Sequence, residues 1–160
     1  MVGGSIPSER NERNNNFMLY IGADHRGFKL KEDIKKYLTE NGQIFEDMGN
    51  FTYDKNDDYT DFAKMVAQKV SDNPNENNGI LICGSGVGVD ITANKFKGVR
   101  SALADDVTTA KQSREHDDTN ILSLPADEVT LELAKKIINI WLETPFSNGE
   151  KYKRRIDKIE

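Results

Sequence analysis

An α/β fold, a mostly parallel five-stranded sheet with helices on both faces, is what this sequence predicts. Three observations lead there. Short apolar runs of strand length alternate with segments whose apolar residues recur at helical spacing. Strands separated by helices need crossovers, and right-handed crossovers wind a parallel sheet into a doubly wound sandwich. The 160 residues, 36% of them hydrophobic, fit one domain that buries enough surface to need no staple.

The elements follow in order. Residues 1–17 are polar, rich in Gly, Ser, Asn, Glu and Arg, and read as an extension ahead of a single domain over 18–160. Residues 18–23 form a buried strand. A helix spans 28–41, with Leu30, Ile34, Tyr37 and Leu38 on one face and Gly42 as its stop. Residues 43–47 are a short second strand, and 58–70 a helix with Phe62, Val66 and Val70 in register. The polar run SDNPNENN, 71–78, is a loop. The third strand, 79–83, runs through a glycine-rich turn into a helix ending near 96. Strand 99–104, helix 107–116 and strand 121–124 come next. Helix 129–143 is strongly apolar, with Ala134, Ile137, Ile138 and Trp141 on one face. A charged helix over 150–159 closes the chain.

Composition narrows the function. With 22 basic and 27 acidic residues the net charge is −5, which disfavours nucleic acid or an anionic membrane as the main partner. No apolar run approaches the roughly 18 residues of a membrane span, and the first residues lack a signal-peptide core. The single cysteine permits no internal disulfide and fits a reducing, cytoplasmic setting. One cysteine and two histidines make a closed zinc site improbable, so no metal is expected.

In doubly wound sheets ligands bind beyond the carboxyl ends of the strands. Strand one ends in Asp24-His25-Arg26-Gly27, strand three in Cys83-Gly84-Ser85-Gly86-Val87-Gly88, and the helix before strand five in a run from Ser113 to Asn120 containing His116. Both histidines and the cysteine thus fall at turns, which points to one site. The glycines let backbone N–H groups approach a ligand, a cradle for phosphate or an oxyanion, or else make a tight turn. Their spacing matches neither the dinucleotide fingerprint nor a P-loop, which needs a lysine. Cys83 is either a buried hydrophobe or a base whose thiolate the adjacent helix N-terminus favours. Lys151 and Arg155, one helical turn apart, can grip a phosphate or simply face solvent.

Together these stretches resemble a known family. Asp24-His25-x-Gly27, Asp58-Tyr59-x-Asp61-Phe62-Ala63, the run from Gly79 to Gly88, Ala93-Asn94-Lys95, and Ser113-Arg114-x-His116-x-Asp118-Thr119-Asn120 are similar, in order and spacing, to type B ribose-5-phosphate isomerases. That family includes galactose-6-phosphate isomerase subunits. The resemblance implies a Rossmann-like three-layer sandwich, no cofactor, and homodimers or paired dimers. It also implies roles. Cys83 moves a proton between sugar C1 and C2, Asp24 holds a hydroxyl or ring oxygen, and His116 opens the ring. The loop Gly84, Ser85, Gly86, Val87, Gly88 and Asp90 stabilises the enediolate, His25, Lys151 and Arg155 hold phosphate, and Tyr59 and Asp117 line the substrate.

The sequence departs from the family at several of these places. Asp117 stands where Asn is usual, Asp90 where Ser is frequent, and Asp127 where Arg is frequent. Lys151 replaces the first member of an Arg pair, and Arg26 a small residue. The expected reaction is interconversion of ribose 5-phosphate and ribulose 5-phosphate. Its rivals are isomerisation of galactose 6-phosphate or a tetrulose phosphate and, in another class, a nucleotide-binding module with Asp105 on the ribose.

Overall fold

The computed structural model describes residues 18–159, so the expected N-terminal extension lies outside the described residues. Five strands, β1 (Met18–Ala23), β2 (Phe45–Asp47), β3 (Asn77–Cys83), β4 (Ser101–Leu103) and β5 (Ile121–Pro125), form one sheet in the order β2-β1-β3-β5-β4. Every pairing is parallel. The described helices are α1 (Phe28–Glu40), α2 (Tyr59–Asp72), α3 (Val87–Ala93), α4 (Val107–Asp117), α5 (Leu131–Glu143) and α6 (Glu150–Asp157).

Side-chain alternation along β3 divides the core. Ile80 and Ile82 join Leu30, Ile34, Ile137 and Trp141 under α1, α4 and α5. Leu81 and Cys83 face the other way, into a layer with Ala63, Val66, Val70 and Val89 from α2 and α3. This is a three-layer sandwich. From β1 the chain crosses over α1 to β2 at one edge; from β3 it crosses the other face toward β4. The order therefore reverses between β1 and β3, where such folds open a crevice.

Several boundaries differ from the sequence expectation. The loop over 71–78 is shorter, because α2 continues to Asp72 and β3 begins at Asn77. Asn77 and Asn78 pair with Met18 and Leu19, so ladder pairing overrides asparagine's poor strand propensity. β2 shrinks to three residues because only those pair with β1, at the sheet edge. Helix α5 starts at Leu131, where the Thr130 hydroxyl caps it by accepting the Leu133 N–H at 3.1 Å.

Candidate active site

The carboxyl ends of β1 and β3 carry Asp24 and Cys83. The Asp24 N–H donates to the Ile82 carbonyl at 3.4 Å, so the two residues leave adjacent strands side by side. Gly27 then lets α1 approach: a Cβ there would lie 2.6 Å from the Ile82 oxygen. Asp24 is buried, and its Oδ1 accepts the Gly27 N–H at 3.0 Å. Burial raises its pKa above the ordinary carboxylate value, with Asp57 adding to this and the Gly27 amide and His25 opposing it.

His25 is held by a residue that sequence reasoning missed. Asp57 Oδ1 accepts from His25 Nδ1 at 2.7 Å and from the His25 backbone N–H at 3.0 Å. A carboxylate only accepts, so Nδ1 carries the proton and Nε2 is the ring's outer atom. Asp57 is itself anchored by the Asn50 side-chain amide, and the Asn50 carbonyl accepts from Lys31 Nζ at 2.7 Å. Lys31 is fully buried and also meets both oxygens of Asp47 at 2.8 Å. Asp47 stays ionised: burial pushes its pKa up, but hydrogen bonds from Lys31 and Lys35 outweigh that and lower it. Nothing periodic marks Asp57 in the polar run before Tyr59; the adjacent acids Asp57 and Asp58 are its only sequence signal.

Cys83 is 4% exposed, and the Gly86 N–H donates to its Sγ at 3.2 Å. Gly86 makes this turn with φ of 74°, and a Cβ there would strike Leu103 and the Leu124–Pro125 peptide. Ser85 is exposed, and its Oγ accepts the Val87 N–H at 3.2 Å, leaving its own proton to donate. The Gly88 amide lies in the first turn of α3, where no carbonyl of the helix can reach it. Tyr59 lies against Gly88, where a Cβ would be 2.6 Å from its ring. The Asp90 side chain turns toward the sheet: Ser101 Oγ donates to it at 2.6 Å, and its amide donates to the Gly86 carbonyl. Burial raises the Asp90 pKa against the pull of Ser101 and Ser123.

The remaining predicted residues are elsewhere. Helix α4 leaves the carboxyl end of β4 and runs back against the strands, so over its 11 residues, roughly 16 Å, it carries His116 to their amino ends. There Arg100 Nε donates to the Asp117 carbonyl at 3.0 Å, and Asn120 ties the starts of β4 and β5 to Gly98. Buried Arg114 fastens this turn to the Thr144 carbonyl, Asp118 and Thr119. The His116 ring stacks on Tyr152 of α6, centroids 4.5 Å apart, and Lys151 and Arg155 lie over the same ring. Asp117 is exposed. The expectation that both histidines and Cys83 share one site is therefore not met within one chain. Two of the predicted turns follow strands, whereas the third precedes one.

Asp24, His25 and Asp57 bring ligand atoms within 4.8 Å of one another and can present them to a metal ion. A cation there would first have to displace the His25–Asp57 bond and the Gly27 amide. Among the described residues no helix is long and apolar enough to cross a membrane.

The chain has counterparts among known proteins. The ribose/galactose isomerase family matches the chain over residues 19–159. A probable ribose-5-phosphate isomerase B of Mycoplasma genitalium is 44% identical over 143 residues, which cover 89% of this chain and 93% of that protein. The ribose-5-phosphate isomerase B of Escherichia coli is 40% identical, covering 87% and 91%. The crystal structure of the Mycoplasma genitalium ribose-5-phosphate isomerase B with bound ribulose 5-phosphate superimposes with a TM-score of 0.87, covering 90% of this chain and 94% of that one. The type B ribose 5-phosphate isomerase of Trypanosoma brucei gives 0.82 at 38% identity, covering 89% and 96%.

Proposed function

The chain belongs to the ribose/galactose isomerase family and is an isomerase; from that premise we propose that it interconverts ribose 5-phosphate and ribulose 5-phosphate with Cys83 as the proton-transfer base. The observation that carries this reading is the pairing, at the crevice between β1 and β3, of a buried thiol that receives an amide hydrogen bond with the buried carboxyl group of Asp24.

The steps follow from these groups. Aldose C2 is acidic only once the ring is open. The Cys83 thiolate takes the C2 proton, electrons move onto the carbonyl oxygen, and a cis-enediolate forms. The O2 hydroxyl proton passes to O1, and returning the carbon-bound proton from Cys83 to C1 gives the ketose. A positioned base of this kind contributes roughly 10²–10⁴-fold. Donors of the glycine loop face the developing oxyanion, each worth about 3–4 kcal/mol. Asp24, its pKa raised by burial, exchanges hydrogen bonds with a sugar hydroxyl or the ring oxygen. His25 Nε2 faces the phosphate.

Ring opening and the rest of the phosphate grip come, in this proposal, from a second copy. His116, Asp117, Lys151 and Arg155 stand at the far edge of the same subunit. A homodimer, alone or in pairs, sets His116 of the partner subunit over Cys83. Helix α6 has no buried residue, and Val87, Ile91 and Met65 of α3 and α2 are exposed, which supports a partner-covered surface. The cytoplasm suits an enzyme whose base is a free thiol.

Assays on a panel of four-, five- and six-carbon aldose phosphates test the substrate. The highest kcat/KM is expected for ribose 5-phosphate; a higher value for galactose 6-phosphate would move the chain to the other branch named by the family.

A further inference from the structure

We infer that Arg26 binds the substrate's phosphate from the same subunit that supplies Cys83, with Asp127 as the carboxylate that holds the guanidinium in place until substrate arrives. The inference rests on the sugar-phosphate reading above and adds to it the residue that stands between His25 and Gly27.

Four observations converge on this guanidinium. Arg26 follows His25 in a turn fixed on one side by Asp24 and Gly27 and on the other by Asp57. Its side chain lies over Gly84, the residue after Cys83: a Cβ at Gly84 would overlap the guanidinium carbon and nitrogens. The absence of a side chain at Gly84 is therefore what lets the cation reach the loop. One guanidinium nitrogen is paired with Asp127, whose own N–H donates to the Gly84 carbonyl at 2.9 Å. Both members of the pair are thus tied to the loop that carries the base.

Charge gives the pair its meaning. The carboxyl edge collects Asp24, Asp57, Asp105, Asp106 and Asp127 from the segments that follow or flank the strands. A doubly charged phosphate approaching this edge needs a local cation. Lys151 and Arg155 of the same copy stand at the opposite edge. Arg26 and Asp127 are 55% and 44% exposed, and ion pairs this wet contribute little to stability. The guanidinium can therefore exchange one carboxylate oxygen for phosphate oxygens without disturbing the fold, and its fork of N–H groups matches phosphate geometry.

Calorimetric titration with inorganic phosphate and kinetics with ribose 5-phosphate, on the full chain, test the assignment. Arg26→Gln is expected to weaken phosphate binding at least about tenfold and to raise KM by a similar factor, with kcat within about threefold. Asp127→Asn, which removes the competing carboxylate, is expected to tighten phosphate binding. Lys29→Gln makes the same charge change at an exposed position of α1 and is expected to alter neither quantity. The assignment is overturned if Arg26→Gln leaves both phosphate affinity and KM within about twofold, or if Lys29→Gln weakens them equally. It is also overturned if Asp127→Asn weakens phosphate as much as Arg26→Gln does. A wild-type chain that binds phosphate through Arg26 but does not turn over ribose 5-phosphate would instead remove the isomerase reading and leave the anion site standing.

Discussion

The two edges of the sheet are built on opposite plans. At the carboxyl edge three candidate groups are already held: Asp24 by the Gly27 amide, His25 by Asp57, and the Cys83 sulfur by Gly86. A fully buried lysine stands behind them. At the amino edge His116 has a stacking partner, Tyr152, and the cations of α6 are in water. The groups proposed to move a proton, which needs little reorganisation, are fixed by their own chain. Groups that must meet a ligand from the outside remain exposed until something covers them. The difference says where each half of the reaction can be tested alone.

The sharpest break falls on the carboxyl edge. Cys83→Ala is expected to lose at least about a hundredfold in turnover while its circular dichroism stays that of the wild type. Activity within threefold of wild type would remove Cys83 from the chemistry.

Two lysines then test the plan by stability. Lys31→Met strips a buried cation from Asp47 and the Asn50 carbonyl and is expected to cost about 3 kcal/mol in urea unfolding. Lys153→Met on α6 should stay within about 0.5 kcal/mol. Equal costs at the two positions would erase the contrast.

Mixing the edges asks whether they belong to different copies. Cys83→Ala and His116→Asn are each expected to be nearly inactive. Co-expressed, half of the randomly formed dimers are mixed, and each mixed dimer has one intact site, so about a quarter of wild-type activity should return. No recovery in chains shown to exchange subunits would remove His116 of the partner subunit from the Cys83 site.

A smaller effect is expected at the amino edge itself. Lys151→Ala and Arg155→Ala should each lower kcat/KM about tenfold, since a lost charged hydrogen bond costs about 1.5–3 kcal/mol. Unchanged kinetics in both would leave the phosphate to His25 and Arg26.

The smallest effect concerns Asp24 and pH. Burial raises its pKa in the folded chain above the unfolded value of 3.8, so the native state holds the proton more tightly. Its contribution to stability is therefore greatest below that value and falls as pH rises through the folded pKa. Asp24→Asn should remove this loss: more stable than wild type at neutral pH, no different at pH 3, and impaired in turnover. A variant less stable at neutral pH would show that the ionised carboxylate is held by more than the Gly27 amide.

Much of this was legible in the chain. Strand-length apolar runs, helical spacing and turn signals located all five strands and all six described helices, because a buried element needs an apolar face and its ends need turn residues. Cys83, Asp24 and His25 were singled out by a rule about strand ends that needs only the order of elements, and the structure sets them at the carboxyl ends of β1 and β3. Asp57, Asn50 and Lys31 were not, because their partners lie 16 to 32 residues away and no local pattern records a hydrogen bond across that distance.

Element type, the parallel sheet and the cysteine–glycine turn were determined by local composition, since propensity, periodicity and glycine's freedom act over a few residues. Which edge each turn occupies was decided only by the tertiary structure. A helix that leaves one strand's carboxyl end must return to the next strand's amino end, so its two termini face opposite sides of the molecule. His116 looks, in sequence, like one more turn residue near a strand. Folded, it is on the far side from Cys83, and the same geometry brings Arg26 onto Gly84 across 57 residues of intervening sequence.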